Sequence, residues 1–192
     1  MRATSSGLDY YPVTSSRLAD LDRFSEEHGK FCYCSCMRWR MTSTEFRGSS
    51  KAERVAALQQ LVRVGSPVGV LAYLNGDPVG WCSVAPRATY RGLERYRALA
   101  RIDPAPVWSV ACFFLDRSIR RSGATLELLS AATHHAISQG AEIVEGYPVI
   151  PGARLYTYMG SAATFLRAGF EDVTPEGRQR LVMRYVAHKS HS

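Results

Sequence analysis

The sequence has no long apolar run, which argues against a membrane-spanning helix. Its longest purely apolar stretch is VACFFL at residues 110–115, whereas a spanning helix needs roughly 20 such residues. The opening residues, MRATSSGLDYYPV, also lack the apolar core of a secretion signal. We therefore expect a cytoplasmic protein that has no membrane partner.

The sequence also lacks the cysteine pairs that build disulfide frameworks and zinc sites. Its five cysteines are odd in number, and three of them lie close together at Cys32, Cys34 and Cys36. Zinc sites usually combine a pair spaced by two to four residues with a distant second pair, and this run fits that pattern poorly even with His28 nearby. We expect reduced thiols, buried as small hydrophobes, and no metal. If the run is extended, its three side chains share one face.

Internal repeats, low-complexity segments and long linkers are missing as well. With 192 residues, of which 46% are hydrophobic and 21% charged, the chain has the size and composition of one globular domain over residues 1–192. Its net charge is +7, because 24 lysines and arginines outnumber 17 acidic residues. This balance favours phosphates, anionic metabolites or nucleic acid as partners, although a solvated positive face would give the same total.

The apolar pattern alternates between strand and helix spacing, which predicts an α/β fold. Short apolar runs predict strands at residues 8–14, 68–74, 79–84, 107–115, 142–147, 170–173 and 181–186. Helical spacing occupies residues 17–28, 50–65, 122–139 and 161–168. Ser50 and Glu53 form the pattern of a capping box, and Asn75-Gly76 predicts a hairpin turn. A parallel crossover joins the strands on either side of the helix at 122–139.

A basic stretch over residues 87–101 has helical character. In a helix, Arg87, Arg91 and Arg95 would align on one face, and Tyr90 and Tyr96 lie between them. Arginines mixed with aromatic residues are typical of a surface for nucleic acid or an acidic ligand. A solvated arginine face is the alternative interpretation.

The junction FFLDRSIRRSGAT at residues 113–125 is the strongest functional signal. A buried strand ends, a basic turn follows, and a helix begins near Gly123. The first turn of a helix has unpaired N–H groups and a partial positive charge, and a glycine lets an anion approach the backbone closely. This arrangement predicts a phosphate or pyrophosphate site. An ordinary strand–helix turn with two solvated arginines is the alternative.

Residues 120–125, RRSGAT, resemble the acyl-CoA-binding motif Arg/Gln-x-x-Gly-x-Gly/Ala of the GNAT acyltransferase superfamily. The segment TFLRAGF at 164–170 resembles the closing helix and Gly-Phe junction of that family. The hairpin at 69–84 and the strand VEGYPV at 144–149 also fall where the family has them, so the resemblance covers most of residues 8–186. It implies the acyl-CoA N-acyltransferase fold, which is a mixed, mostly antiparallel central sheet with a splayed parallel strand pair and flanking helices.

The resemblance implies acetyl-CoA, or another acyl-CoA, as co-substrate. Pantetheine would enter between the splayed strands and pair with the backbone of Phe113 and Leu115. A backbone N–H near Phe113 or Phe114 would face the thioester carbonyl and stabilise the developing oxyanion. The pyrophosphate would bind the turn and first helical residues, which are Arg120, Arg121, Ser122, Gly123, Ala124, Thr125 and Leu126.

The sequence departs from the family pattern at two positions. Thr125 stands where the family usually has glycine or alanine, and its side chain would either crowd the pyrophosphate or bond to it. Phe165 stands where many members have the tyrosine that protonates the thiolate, and a phenylalanine cannot donate a proton. Tyr158 is our candidate for the replacement acid, with Tyr156 and Ser161 as alternatives nearby.

Four further residues are candidates for the site. Glu145 and Tyr147 share one face of their predicted strand, from which they could reach the cleft as base or substrate contacts. A glutamate exposed at the strand end is the alternative. The region between the first two helices often lines the acceptor pocket in this family, and Trp39 and Arg40 would there supply a flat apolar face and a carboxylate partner.

The resemblance implies an N-acyltransferase that moves an acyl group, which we expect to be acetyl, from CoA to an amine of a small molecule. The amine would attack directly, so the protein would position the reactants and manage protons. One alternative keeps the fold but takes aminoacyl-tRNA as donor, as Thr125, Phe165 and the basic stretch at 87–101 together would favour. Another is a non-catalytic module that senses a ligand or binds nucleic acid. A monomer or a homodimer is compatible with each.

Overall fold

A single mixed sheet organises the chain in a computed structural model, which describes residues 6–28, 31–120, 122–150, 152 and 156–187, without the side chains of 31–35. The strands are β1 (Asp9–Pro12), β2 (Val70–Leu74), β3 (Asp77–Pro86), β4 (Trp108–Leu115), β5 (Ile143–Gly146), β6 (Glu171–Asp172) and β7 (Met183–Val186). Their order is β1-β2-β3-β4-β5-β7-β6. Neighbouring strands are antiparallel, except that β4 and β5 are parallel. The predicted mixed, mostly antiparallel sheet is confirmed.

Helices connect and cover these strands. They are α1 (Leu18–Glu27), α2 (Phe31–Arg40), α3 (Ser43–Gly48), α4 (Lys51–Arg63), α5 (Arg91–Glu94), α6 (Ala124–Ser138) and α7 (Ala162–Arg167). The predicted capping box opens α4, since Ser50 Oγ accepts the Glu53 amide at 3.2 Å and Glu53 Oε2 accepts the Ser50 amide at 2.7 Å. Throughout the described residues, no helix combines the length and the apolar character that a bilayer crossing requires.

The sheet is covered on both faces, which explains why β4 is apolar along its whole length rather than alternating. On one face α6 packs its Leu128 and Leu129 against Val110 and Phe113. On the other face α1, α2 and α4 contribute a second buried cluster that includes Phe24, Cys36 and Leu58. Strand β4 therefore lies at the centre of the protein, between the two layers of helices.

The cysteine-rich segment is helical and not extended, because residues 31–40 form α2. In a helix, residues two apart point about 200° apart around the axis, so a shared face for the three cysteines does not arise. Cys36 is buried and accepts a hydrogen bond from Trp81 Nε1 at 2.8 Å, as expected for a buried thiol. The side chains of Cys32 and Cys34 lie outside the described residues.

The predicted arginine face over residues 87–101 is wrong. The stretch folds as separate short turns, with 3-10 turns at Arg87–Thr89 and Arg97–Leu99 around α5. Gly92 fits directly against the α2 backbone, where a Cβ atom would lie 2.3 Å from the carbonyl oxygen of Met41. Arg87 is only 1% exposed and pairs with Glu94, whereas Arg91 is exposed and pairs with Glu45. Tertiary contacts therefore override the helical spacing.

Candidate functional site

Strands β4 and β5 separate after a short parallel ladder. They pair only from Trp108 opposite Val144 to Val110 opposite Gly146, after which β4 continues to Leu115 without β5 beside it. A β-bulge lies at the point of separation. Bulges bend a strand and increase its twist, so the bulge is a physical reason for the splay. The predicted splayed pair is present.

The bulge itself is formed by one extra residue in β4. Cys112 pairs with Ser83 and Val110 pairs with Val84, so Ala111 is left without a partner in β3. Two consecutive side chains, those of Ala111 and Cys112, consequently lie away from the α6 face, while Val110 and Phe113 pack under α6. The bulge therefore shifts which side chains of β4 point to each face of the sheet, and it does so next to the fork.

Phe165 fills the fork between the separated strands. Its ring is fully buried, and a Cβ atom added to Gly146 would lie 2.0 Å from its Cε1 atom. The ring also meets Phe113 edge-on, with 6.1 Å between the ring centroids, and Gly160 approaches it from the other side. Phe165 thus acts as an apolar wedge, at the position where many family members have a tyrosine.

A cleft of about 560 Å³ opens beside the wedge, along the unpaired edge of β4. This volume is typical of sites for small molecules and cofactors. Its lining is apolar with several hydroxyl groups, and it includes Phe113, Leu115, Thr125, Val149, Thr157, Ser161 and Thr164. The unpaired strand edge and this lining together could accept an extended chain with amide groups.

The N-terminus of α6 forms one end of the cleft region. Gly123 has a φ of +88°, and no atom lies within 4 Å of the place where its Cβ would be. The amides of Leu126 and Glu127 already donate to the Gly123 carbonyl, whereas within the described residues those of Ser122, Gly123 and Thr125 donate to no acceptor. The predicted anion site stays a prediction, and these three amides are the described donors that an anion at this helix end could still bind.

Arg120 is the arginine of the basic turn that lies closest to the start of α6 among the described residues. Arg120 is exposed, and its Nε donates to the carbonyl oxygen of Leu115 at 3.1 Å. Ser122 donates from its hydroxyl to the carbonyl oxygen of Ile119 at 2.8 Å, and the Ala124 amide is 3.4 Å from that hydroxyl. Arg121 lies outside the described residues. A guanidinium and several amides without an acceptor at one helix end favour a phosphate group.

Glu145 and Tyr147 do not reach the cleft, contrary to the prediction. Glu145 is 2% exposed, and its two oxygens accept from Arg87 and from Arg184, each at 2.8 Å. Tyr147 is fully buried and donates to Glu145 at 2.6 Å, with Ser109 Oγ 2.8 Å away. Burial, together with the adjacent carboxylate, raises the pKa of Tyr147 well above its usual range. The strand face that Glu145 and Tyr147 share is therefore turned toward a buried ionic network and not toward the cleft.

Trp39 and Arg40 are also buried, so the prediction that they form an open acceptor wall is wrong for Arg40. Its Nη2 group donates to the carbonyl oxygens of Pro67 and Val68 at 3.2 and 3.4 Å, and its guanidinium lies over the ring of Tyr90. Trp39 is fully buried, but its ring contacts that of Tyr96, with 5.4 Å between centroids. The helical geometry of α2 turns Arg38, rather than Arg40, toward this aromatic side.

Tyr158 lies in a short 3-10 turn, Thr157–Met159, that packs beside the fork. Its ring is partly buried and packs with the cluster that contains Cys112 of the bulge. Burial, reinforced by Cys112, raises the pKa of Tyr158 to about 12. Within the described residues its hydroxyl makes no hydrogen bond. It is therefore a protonated hydroxyl group next to the bulged part of β4.

Sequence reasoning missed Arg38, Tyr96 and Arg180, which meet Trp39, Tyr156 and Tyr158 on this side of the sheet. A helical interpretation of residues 31–40 would have indicated Arg38. Nothing local marks Arg180, because its contact with Tyr156 depends on the tertiary fold. The described part of the chain contains no group of three or more His, Cys, Asp or Glu side chains that could hold a metal ion.

Comparisons with solved structures show the same fold. Arylalkylamine N-acetyltransferase 2 from Aedes aegypti is 12% identical, with a TM-score of 0.57 over 93% of this chain and 98% of that one. Aminoglycoside acetyltransferase AAC(6')-Ib, in complex with coenzyme A, is 17% identical, with a TM-score of 0.54 over 93% and 94%. NAA60 of Arabidopsis thaliana, in complex with acetyl-CoA, is 14% identical, with a TM-score of 0.50 over 94% and 99%.

The sequence comparisons identify the family. No curated protein matches the sequence of this chain. The family model described as the Acetyltransferase (GNAT) family, however, matches residues 34–160. That range begins inside the cysteine-rich helix, covers the hairpin, the bulged strand, the fork and α6, and ends at Gly160 beside the wedge. The chain therefore belongs to the GNAT family of acetyltransferases.

Proposed function

We propose that the protein transfers an acetyl group from acetyl-CoA to the amine of a small molecule. The observation that carries this proposal is the fork between β4 and β5, which opens a cleft next to the N-terminus of α6. A strand edge without a partner can take an extended amide chain as an additional strand. The helix end can take a diphosphate at the same time. The pantetheine arm of CoA is such an amide chain, and its pyrophosphate is such a diphosphate.

Residues of β4 and α6 would hold the co-substrate. The backbone of Phe113 and Leu115 would pair with pantetheine, and the amide of Phe113 or Phe114 would bond the thioester carbonyl. The amides of Gly123 and Thr125, with the Arg120 guanidinium, would bind the pyrophosphate. The Thr125 hydroxyl lines the cleft, where it would donate a further hydrogen bond.

Tyr158 would provide the proton that the departing sulfur needs. In the transfer, the neutral amine forms a C–N bond to the acyl carbon while the C–S bond breaks. The sulfur takes one proton from the Tyr158 hydroxyl, the amine loses one to solvent, and solvent reprotonates Tyr158. A phenol with a pKa of about 12 is protonated at neutral pH and can serve as donor. Phe165 cannot take this role because it has no ionisable group.

A small-molecule amine as acceptor is supported by the character of the fold relatives. Two of the similar structures are named as aminoglycoside and arylalkylamine acetyltransferases. A tRNA donor stays an alternative, but the basic stretch supports it less than its sequence suggests, because Arg87 pairs with Glu94, Arg91 with Glu45 and Arg101 with Glu94. Arg95 and Arg97 of the same stretch are exposed.

Two glycines that flank α6 allow a matched test of the co-substrate site. Gly123 and Gly140 flank the helix with φ values of +88° and +89°, and neither has an atom within 4 Å of its Cβ position. Gly123→Ala and Gly140→Ala should therefore lose similar stability, about 1–2 kcal/mol each. We expect only Gly123→Ala to weaken acetyl-CoA binding, by about tenfold in calorimetry, because the Cβ would meet the pyrophosphate. Equal affinity in both variants, or no binding to the wild type, would contradict the proposal.

A further inference from the structure

An aromatic and arginine-lined cluster lies on the face of the sheet opposite α6. We call it the arginine–aromatic cluster, and its members are Arg38, Trp39, Tyr96, Tyr156, Tyr158 and Arg180. Consecutive rings are 5.4 to 6.2 Å apart between centroids, and the hydroxyl groups of Tyr96 and Tyr156 are 3.3 Å apart. Side chains from α2, from the turns before β4, from the turn after β5 and from the approach to β7 thus converge at one place.

The two guanidinium groups of this cluster have no carboxylate partner within the described part of the chain. Arg38 lies 5.3 Å above the Trp39 ring, and Arg180 lies 4.7 Å above the Tyr156 ring. Arg87 and Arg184, in contrast, both bond Glu145. Among the residues that the structure describes, the cluster therefore concentrates positive charge that no carboxylate neutralises by direct contact.

Two buried N–H groups of the cluster also lack a hydrogen-bond acceptor among the described residues. Arg180 Nη2 donates to the carbonyl oxygen of Tyr147 at 3.2 Å, but its Nε is buried and has no partner among the described residues. The indole Nε1 of Trp39, fully buried, likewise has none in the described part of the chain. Burial disfavours the charged guanidinium and so lowers the pKa of Arg180. An anionic ligand would relieve this cost.

The cluster also reaches the place where the acyl group would be transferred. Tyr158 is its member nearest the fork and packs with the residues around Cys112 of the β4 bulge. From there the rings of Tyr156 and Trp39 lead toward the two guanidinium groups. A molecule lying along this path would have one end at the bulge and the other at the arginines, with its middle against aromatic faces.

We infer that the arginine–aromatic cluster is the acceptor site, and that the acceptor is an amine whose flat or apolar body carries an anionic group at its far end. The inference rests on the proposed function. The amine would lie at Tyr158, the body would stack on Tyr156, and the anion, a carboxylate or a phosphate, would bind Arg38 and Arg180. A second cationic group at the far end is disfavoured, because two guanidinium groups would repel it.

A pair of probes that differ in one carboxylate tests this inference. 4-(Aminomethyl)benzoate and benzylamine share the ring and the amine, so their binding to the full chain isolates the anion. By calorimetry in the presence of saturating CoA, we expect the carboxylated amine to bind at least about tenfold more tightly. Its kcat/KM with acetyl-CoA should exceed that of benzylamine by a similar factor.

Substitutions of Arg38 and Arg180 then test whether the preference for the carboxylated amine arises in the arginine–aromatic cluster. Arg180→Met and Arg38→Met should each remove most of the preference for the carboxylated amine, measured as the ratio of the two affinities in the same variant. Arg180→Lys, which keeps the charge and loses the planar fork, should retain part of it. Arg95→Met, at an exposed arginine in the neighbouring turn, is the matched control and should change neither amine. Thermal melting of each variant verifies folding.

The outcomes separate this inference from the proposed function. Wild-type protein that binds acetyl-CoA and treats the two amines alike, or binds neither, would overturn the substrate class and leave the co-substrate site intact. A preference that survives in both arginine variants would overturn it as well. If acetyl-CoA does not bind, the proposed function fails, while binding of the two amines to the free protein still decides whether the cluster selects an anion.

Discussion

Two side chains at the fork have separate tasks in this account. Phe165 keeps the strands apart as an apolar wedge between Gly146 and Gly160, a role that requires a ring but no hydroxyl. The proposed proton donor lies instead on Tyr158, in a different turn and on the opposite side of the bulge. Opening the cleft and protonating the sulfur would therefore depend on two residues that can be changed separately.

Tyr158→Phe should lower kcat by about 10²-fold and leave the KM for acetyl-CoA within a few-fold of wild type, because only proton transfer is lost. A phenol remains protonated below its pKa, so with a pKa of about 12 the wild-type rate should show no loss from Tyr158 titration up to about pH 10. Tyr11→Phe, on the distant strand β1, is the control and should be unchanged. Full activity of Tyr158→Phe, measured as CoA release, would refute this role.

At the scale of elements, a buried ionic network ties the turns before β4 to the far half of the sheet. Arg87 donates to Glu145, to Tyr147 and to the carbonyl oxygen of Leu99, and Glu145 in turn accepts from Arg184. Tyr147 of this network sits just beyond β5, where the strands have begun to separate. The network thus holds β5 in place through Glu145 and Tyr147, whereas the bulge bends β4 away from β5.

Arg87→Met should lower the free energy of unfolding by about 3–5 kcal/mol, because it leaves the Glu145 carboxylate buried with one fewer partner. Denaturant titration at neutral pH measures this loss. Arg97→Met, at an exposed arginine of the same segment, should change stability by less than about 0.5 kcal/mol. Similar losses for both substitutions would show that burial of the network contributes little to stability.

The elements that could be predicted are those whose signal is local. The capping box at Ser50, the Asn75-Gly76 turn and the glycine that opens α6 are determined by neighbours in the sequence. The helical state of residues 31–40 was missed, because cysteines at alternate positions resemble a strand pattern. The burial of Arg87 could not be inferred from the sequence, since its partner Glu145 is 58 residues away.

At the scale of the whole molecule, the sheet separates two kinds of binding surface. The cleft and the α6 N-terminus face one side, where phosphate and an extended chain would bind. The arginine–aromatic cluster faces the other side, where Tyr158 packs against the buried cluster that contains Cys112 of the β4 bulge. A net charge of +7 suits both surfaces, because each is proposed to receive an anion.

The most direct test of the central claim is a crystal structure of the protein with CoA. We expect the pyrophosphate within hydrogen-bond distance of the Gly123 and Thr125 amides, and pantetheine running between β4 and β5 along residues 111–115. The sulfur should then lie close to the Tyr158 hydroxyl. Strands closed onto each other along β4, or CoA bound elsewhere while the α6 N-terminus contacts only solvent, would contradict the account.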